Sequence, residues 1–259
     1  MIRIKDLWKK YEKNQVLQGL SLDIETGEIL VILGRSGMGK SVLLRQILGL
    51  EKPDKGCVEV DNVNISALKK KEHANAVKNM GMLFQGSALF DSLNIEENTG
   101  FYLKNNPDPH TGKFFSKEEI RARVAESLSM VGLENTEKKM PSDLSGGMKK
   151  RAALARLIAY RPSILLYDEP TTGLDPMTVQ TINELIIKTQ NELKGTSIIV
   201  THDIHSALFV ADRIALLREG KIFTIADPDT FMQVQDPMIT FLKETLEQHP
   251  RVRKERKNV

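Results

Sequence analysis

Three features of the sequence predict an α/β fold built on a parallel sheet. A glycine-rich segment sits between an apolar strand and a helix, a second apolar strand ends in two carboxylates, and the stretch 94–161 between them shows no convincing strand and reads as a helical insert. The first feature is Gly34-Arg35-Ser36-Gly37-Met38-Gly39-Lys40-Ser41. Its glycines let the backbone curl without Cβ clashes, so that successive N–H groups converge on phosphate oxygens at a helix N-terminus. Lys40 then reaches the β and γ phosphates, and Ser41 offers a hydroxyl to Mg²⁺. The flanks agree: 28–33 is a buried strand, and 41–50 is a helix with apolar Val42, Leu43, Leu44, Ile47 and Leu48.

Taken in order, 2–7 and 17–24 alternate as antiparallel strands do, with a turn at 25–28. Tyr11, between them, either stacks on a purine base or covers a small sheet. A loop at 51–56 precedes a short strand, 57–60, and an Asp61-Asn62 turn. Lys69 to His73 opens a polar helix, and 80–84 is another buried strand, ending at Gln85-Gly86. Beyond it, 95–103 and 117–131 are helical by periodicity, separated by a breaker-rich loop at 105–110 in which His110 is solvated.

Ser145 stands as the N-cap of a long helix carrying Ala152, Ala153, Leu157 and Ile158 at helical spacing. Gly146 and Gly147 directly after it expose backbone N–H groups of the kind an anion site uses, so both a cap and a binding role are open. The strand 163–169 ends in Asp168-Glu169, and ligands of a parallel sheet gather at the carboxyl ends of its strands. Asp168 suits a metal-holding acid there, and Glu169 can orient or deprotonate water. Thr172 to Pro176 leads into a helix reaching Leu193 and closed by Gly195. The strand 197–201 ends at His202, which either contacts a γ-phosphate or is a satisfied structural residue, while His205 lies on the surface. A hairpin over 213–226 and helices at 229–234 and 238–248 complete the order.

Composition narrows the class. With 41% hydrophobic and 27% charged residues and no apolar run near the ~20 residues of a membrane span, the chain reads as a cytosolic globular protein. The start of the chain lacks the apolar core of a signal peptide. The single cysteine, Cys57, allows no internal disulfide and reads as a small strand residue. The net charge of +3 is concentrated in a basic tail, 249–259, read as a solvated charge run that orders only against a partner or anionic lipid.

With 34–41, Leu144-Ser145-Gly146-Gly147 and 164–169 in this order, the chain resembles the nucleotide-binding subunit of an ABC transporter over nearly its full length. The second segment is decisive, because many phosphate-loop proteins share only the other two. The resemblance implies a P-loop NTPase (RecA-like) core with an antiparallel β subdomain and an inserted α-helical subdomain. Its parts are a core of 1–86 and 162–227, a helical subdomain of 87–161, C-terminal helices over 228–248 and the tail. It implies ATP and Mg²⁺ as cofactors. The phosphate cradle comprises Gly34, Ser36, Gly37, Gly39, Lys40 and Ser41, with Tyr11 stacking on adenine. Ser41, Asp168 and Gln85 face the metal, Gln85 also sensing nucleotide and facing the membrane partner. Glu169 is the implied catalytic base, His202 the γ-phosphate switch and Asp175 the link between two sites, with Ser145, Gly146 and Gly147 serving the ATP of a second copy.

At finer grain, residues 82–90 and 141–156 look like the ATPases of Mce-type lipid transport, the Mla phospholipid pathway among them. Met148 stands where most relatives carry Gln, a departure that touches subfamily more than activity. This implies a peripheral place on the cytoplasmic face of the cell membrane and an integral-membrane permease as partner. An Mce-domain substrate-binding protein and a small regulatory subunit are further implied partners. A soluble ABC ATPase acting on nucleic acid or ribosomes is the rival, but it usually carries two cassettes or a coiled-coil insert, and no nucleic acid is expected here.

Overall fold

Burial sorts the strands into two kinds. In the computed structural model, which describes residues 1–108, 111–237 and 239–241, β1 (Ile2–Tyr11) buries Ile2, Ile4 and Leu7 and β2 (Asn14–Ile24) buries Leu17, Leu20, Leu22 and Ile24, leaving the other positions partly or fully open, as half-solvated antiparallel strands do. By contrast β3 (Ile29–Leu33) is buried at all five positions. After α1 (Lys40–Ile47) come β4 (Lys55–Val60), the two-residue β5 (Val63–Asn64), α2 (Lys70–Val77) and β6 (Met80–Leu83). Three helices follow, α3 (Ile95–Asn105), α4 (Lys117–Met130) and α5 (Gly146–Ile158), so the strandless insert stands as expected among the described residues. The chain then runs β7 (Ile164–Asp168), α6 (Pro176–Leu193), β8 (Thr196–Thr201), α7 (Ile204–Val210), β9 (Arg213–Arg218), β10 (Lys221–Ala226) and α8 (Pro228–Phe231). His110, the basic tail and most of the helix expected over 238–248 lie outside the described residues.

Two sheets form. One is antiparallel, in the order β2-β1-β4-β5, and the other has six strands in the order β10-β9-β3-β8-β7-β6. In the larger sheet β3 pairs in parallel with β8 and β9, and β7 with β6 and β8, while β10 closes one edge antiparallel to β9. Alternate residues of the parallel strands serve different cores, as the two-residue period of a strand dictates. Leu30 and Ile32, with Leu166, Ile198 and Val200, pack against α1 and the antiparallel sheet. Val31 and Leu33, with Leu165, Tyr167 and Ile199, pack against the helical side. Each such fully buried aliphatic side chain contributes about 1.5–3 kcal/mol of burial. The sheet is thus clamped on both faces, and its strand ends are fixed platforms.

Capping chemistry sets the helix starts. Asn94 and Ser116 each accept from the N–H three residues on, and Glu97 and Glu119 return the bond. Two expectations are corrected. Tyr11 is the last residue of β1 and pairs with Asn14, because both strands run on to a tight turn at Glu12 and Lys13. α6 is closed by Lys194, which takes the left-handed conformation at φ 49°, and not by Gly195. Gly195 is demanded instead by space, since a Cβ there would lie 2.9 Å from the Ser163 carbonyl oxygen and from Leu165. α7, capped by the Asp203 carboxylate on the His205 N–H, was not foreseen; His205 on it is exposed as expected.

Candidate active site

The phosphate-type loop leaves the carboxyl end of β3 and enters α1 through Gly39, at φ 92°. Any Cβ at Gly39 would also meet Val16 Cγ1 at 2.6 Å, so only glycine admits this entry. Lys40, the first residue of α1, folds back over the loop and donates to the carbonyl oxygens of Gly34 at 2.7 Å and Arg35 at 3.1 Å. Its ammonium is 5% exposed and lies 3.0 Å from Glu169 Oε1. One residue on, Ser41 Oγ donates to Asp168 Oδ1 at 2.8 Å, joining α1 to the end of β7.

Glu169 is held from several sides. Its backbone takes the left-handed conformation at φ 49°, uncommon for a non-glycine residue and characteristic of strained functional positions. Its N–H donates to the Val200 carbonyl at 2.9 Å, locking the turn to β8. Oε2 accepts from Thr172 Oγ1 at 3.0 Å and lies 2.8 Å from His202 Nδ1. An ionised carboxylate accepts only, so that contact places the imidazole proton on Nδ1 and leaves Nε2 as the open ring nitrogen.

The two neighbouring acids are driven apart electrostatically. Burial pushes the Asp168 carboxyl above its ordinary range, and the Glu169 charge adds to this, against the pull of the Ser41 hydroxyl. Burial acts the same way on Glu169, but the hydrogen bond and charge of Lys40, with Thr172 and His202, outweigh it and hold that carboxyl below its ordinary range. Glu169 is therefore held as the stronger acid of the pair. Ser41 and Asp168 form an oxygen donor set of the kind that Mg²⁺ prefers, and the excess negative charge of Asp168 suits a cation.

The remaining sequence-derived residues fall into two groups. Tyr11 is 39% exposed, with its hydroxyl bonded to Glu51 and Lys9 Nζ 5.5 Å over its ring, so one ring face is already occupied by a cation. Gln85 follows β6, neighbour to β7, and is exposed; its backbone carbonyl accepts from the buried Lys150 of α5. Ser36 and Gly37 lie at the exposed crest of the loop, where a Cβ on Gly37 would meet nothing. Ser145 caps α5 through the Met148 N–H at 3.3 Å and, like Gly146, is exposed; Gly147 sits against Thr178 of α6. Asp175 caps α6 through the Thr178 N–H at 3.0 Å. Ser145, Gly147 and Thr178 line one hollow, so the starts of α5 and α6 form a second polar surface that does not share hydrogen bonds with Lys40 or Ser41. Residue spacing missed Thr172 and Lys150. Threonine in a turn has no distinctive pattern, and no residue spacing marks out Lys150, which is 5% exposed.

A protein-family model described as ABC transporter matches residues 17–172. The chain is 37% identical over 238 residues to the probable ribonucleotide transport ATP-binding protein mkl of Mycobacterium leprae, covering 92% of this chain and 67% of that protein. It is 39% identical over 249 residues to the methionine import ATP-binding protein MetN of Clostridium tetani, covering 96% and 75%. The chain thus spans about two thirds of the length of the mycobacterial relatives, 65% in Mycobacterium tuberculosis. Among solved structures it is similar to the ATP-binding cassette MJ0796, a dimer in a post-hydrolysis state bound to ADP and Pi, with a TM-score of 0.79 at 34% identity over 88% of this chain and 99% of that one. It is also similar to cbiO1 of Clostridium perfringens, part of the ABC transporter complex cbiONQ, with a TM-score of 0.80 at 30% identity over 97% and 96%. The expected fold is borne out by both.

Proposed function

The chain belongs to the ABC transporter family as an ATP-binding domain, and from that premise we propose that it is the ATP-hydrolysing motor subunit of a lipid transporter of the Mce/Mla type, acting through a separate permease. The observation that carries the catalytic half is the convergence of Lys40, Ser41, Asp168, Glu169 and His202 at the ends of β3, β7 and β8. The lipid half rests on residues 82–90 and 141–156, which look like that branch.

The phosphate loop holds the β and γ phosphates with Lys40, whose ammonium turns from Glu169 to phosphate oxygens as they arrive. Ser41 and Asp168, with Gln85, would hold Mg²⁺, which when bound would supply charge neutralisation for the transferring phosphoryl group. Glu169, freed from Lys40 and oriented by Thr172 and His202, takes a proton from water as the water oxygen bonds to the γ-phosphorus and the bond to the β-phosphate oxygen breaks, releasing ADP and phosphate. His202 Nδ1–H keeps Glu169 in place, and contact of Nε2 with a γ-phosphate oxygen requires a proton on that nitrogen as well. Tyr11 stacks on adenine through the ring face that Lys9 does not cover.

The exposed starts of α5 and α6 suit a second copy. Ser145, Gly146 and Gly147 would close on the γ-phosphate of the partner's nucleotide, and Asp175 would join the two sites. The nearby dimer of MJ0796 supports that arrangement. The working unit is then two copies on the cytoplasmic face of a membrane, with 87–161 as the subdomain that meets the permease. An Mce-domain protein and a small regulatory subunit complete the assembly. No helix among the described residues is long and apolar enough to cross a membrane, consistent with a peripheral place.

Import of another solute is the second reading, favoured by the likeness to MetN. Affinity capture of the full chain from membranes separates the two. Recovery of a multi-spanning permease with an Mce-domain protein supports the lipid reading. A permease with a methionine-binding protein overturns it in favour of import, and ribosomes or nucleic acid without a permease would overturn both.

A further inference from the structure

Two basic side chains of α5 hold three carbonyls of the segment that carries Gln85. Lys150 Nζ donates to the Gln85 carbonyl oxygen, and Arg156 donates to those of Ser87, at 3.1 Å, and Ala88. The segment is one that needs holding. Ser87 and Ala88 are both left-handed, at φ 65° and 49°, a pair of non-glycine residues in a conformation that costs about 1–2 kcal/mol each unless surrounding structure imposes it. Lys150 is 5% exposed, although lysine is seldom buried without a specific partner. Its long apolar stem leaves α5 and brings the ammonium to the carboxyl end of β6, within electrostatic reach of Asp168 and Glu169. The Arg156 guanidinium also lies over the Phe90 ring at 5.8 Å, fixing the far end of the same turn.

We infer that Lys150, with Arg156, is a positioning residue that makes the Gln85 segment travel with α5, so that the second copy's grip on Ser145 at one end of the helix is transmitted to the metal and water side of the site. This rests on the ATPase reading above. The geometry supplies a rigid connection: Ser145 caps the helix, Lys150 lies five residues along it, and its ammonium ends on the backbone of Gln85. Moving α5 without Gln85 would strand a buried ammonium and a carbonyl, a cost that couples the two elements. A solvated lysine at this position would supply no such link.

The test is a double-mutant cycle in steady-state ATPase assays of the full chain, with Lys150→Met, Lys150→Arg and Gln85→Ala, and with Glu169→Gln as control. Lys150→Met is expected to lower kcat about 10- to 100-fold with KM for ATP shifted less than about threefold, as for a misplaced group remote from the binding contacts. Lys150→Arg should recover most of the loss, and in the Gln85→Ala background Lys150→Met should cost less than about twofold. Additive losses in the cycle, a Lys150→Met kcat equal to wild type, or no recovery by Lys150→Arg in protein that melts as wild type would each overturn the inference. If Glu169→Gln retains full turnover, the ATPase reading itself fails; if it is inactive while Lys150→Met is not, only the inference fails.

Discussion

Lys40 Nζ lies 3.0 Å from Glu169 Oε1, so the cation that would meet the γ-phosphate is paired with the carboxylate that would activate water. Both are buried, and each satisfies the other's charge. A phosphate that draws Lys40 away therefore also releases Glu169. Binding and the arming of the base become one event.

That pairing makes Lys40→Met a test with two readouts. ATP binding should weaken by at least about 100-fold, since a buried charge-assisted contact to phosphate is lost. Stability without nucleotide and in chelator should also fall at neutral pH, because Glu169 loses its main counter-charge. Glu169 is held below its ordinary range, so its contribution is present above the ordinary glutamate value and disappears as pH falls through the lower folded value. The gap in Tm between wild type and Lys40→Met should accordingly close in acid. A gap that is constant from neutral pH down through the acid range below the ordinary glutamate value would contradict the assigned ion pair.

Asp168 is predicted to behave in the opposite sense. Its carboxyl is raised by burial and by Glu169, so its contribution to stability is most favourable when protonated and is lost as pH rises through the folded value. Asp168→Asn should therefore raise Tm at pH 7 in chelator by about 1–3 °C while abolishing the protection that Mg²⁺ gives with ATP. Differential scanning calorimetry with and without Mg²⁺-ATP reads both effects. A lower Tm in chelator would contradict the charge assignment.

Ser145→Arg separates binding from assembly. The residue is exposed at the start of α5, so a bulky cation there leaves the phosphate loop intact and obstructs the face offered to a second copy. ATP affinity should stay within about threefold of wild type while turnover falls about 100-fold. Equilibrium binding beside ATPase rates distinguishes this from a folding defect, in which both decline together.

Much of this arrangement is legible in the residues because the relevant physics is local. Glycine spacing at 34, 37 and 39, and apolar runs ending at Asp168 and Thr201, locate β3, β7 and β8 and their carboxyl ends without tertiary information. The relation of Lys40 to Glu169 is not local, since 129 positions separate them and only the parallel pairing of β3 through β8 to β7 brings them together. Lys150 escapes notice because its burial depends on the packing of α5 against β6, while the 149–151 run by itself looks like a wet helix face. Tyr11 is visible as an aromatic between two strands, yet its bond to Glu51 depends on where the α1 exit places that acid. α7 is missed because seven residues hold too little periodicity to show.

Glu169 is predicted to activate water in a site completed by a second copy. Glu169→Gln keeps the side-chain shape and removes the base, so the variant should bind ATP and Mg²⁺ with near-wild-type affinity, sediment as a dimer in saturating ATP, and release phosphate about 100-fold more slowly or less. Sedimentation and phosphate release measured on one sample decide it. A Glu169→Gln protein that stays monomeric in saturating ATP, or that turns over at the wild-type rate, would contradict the account.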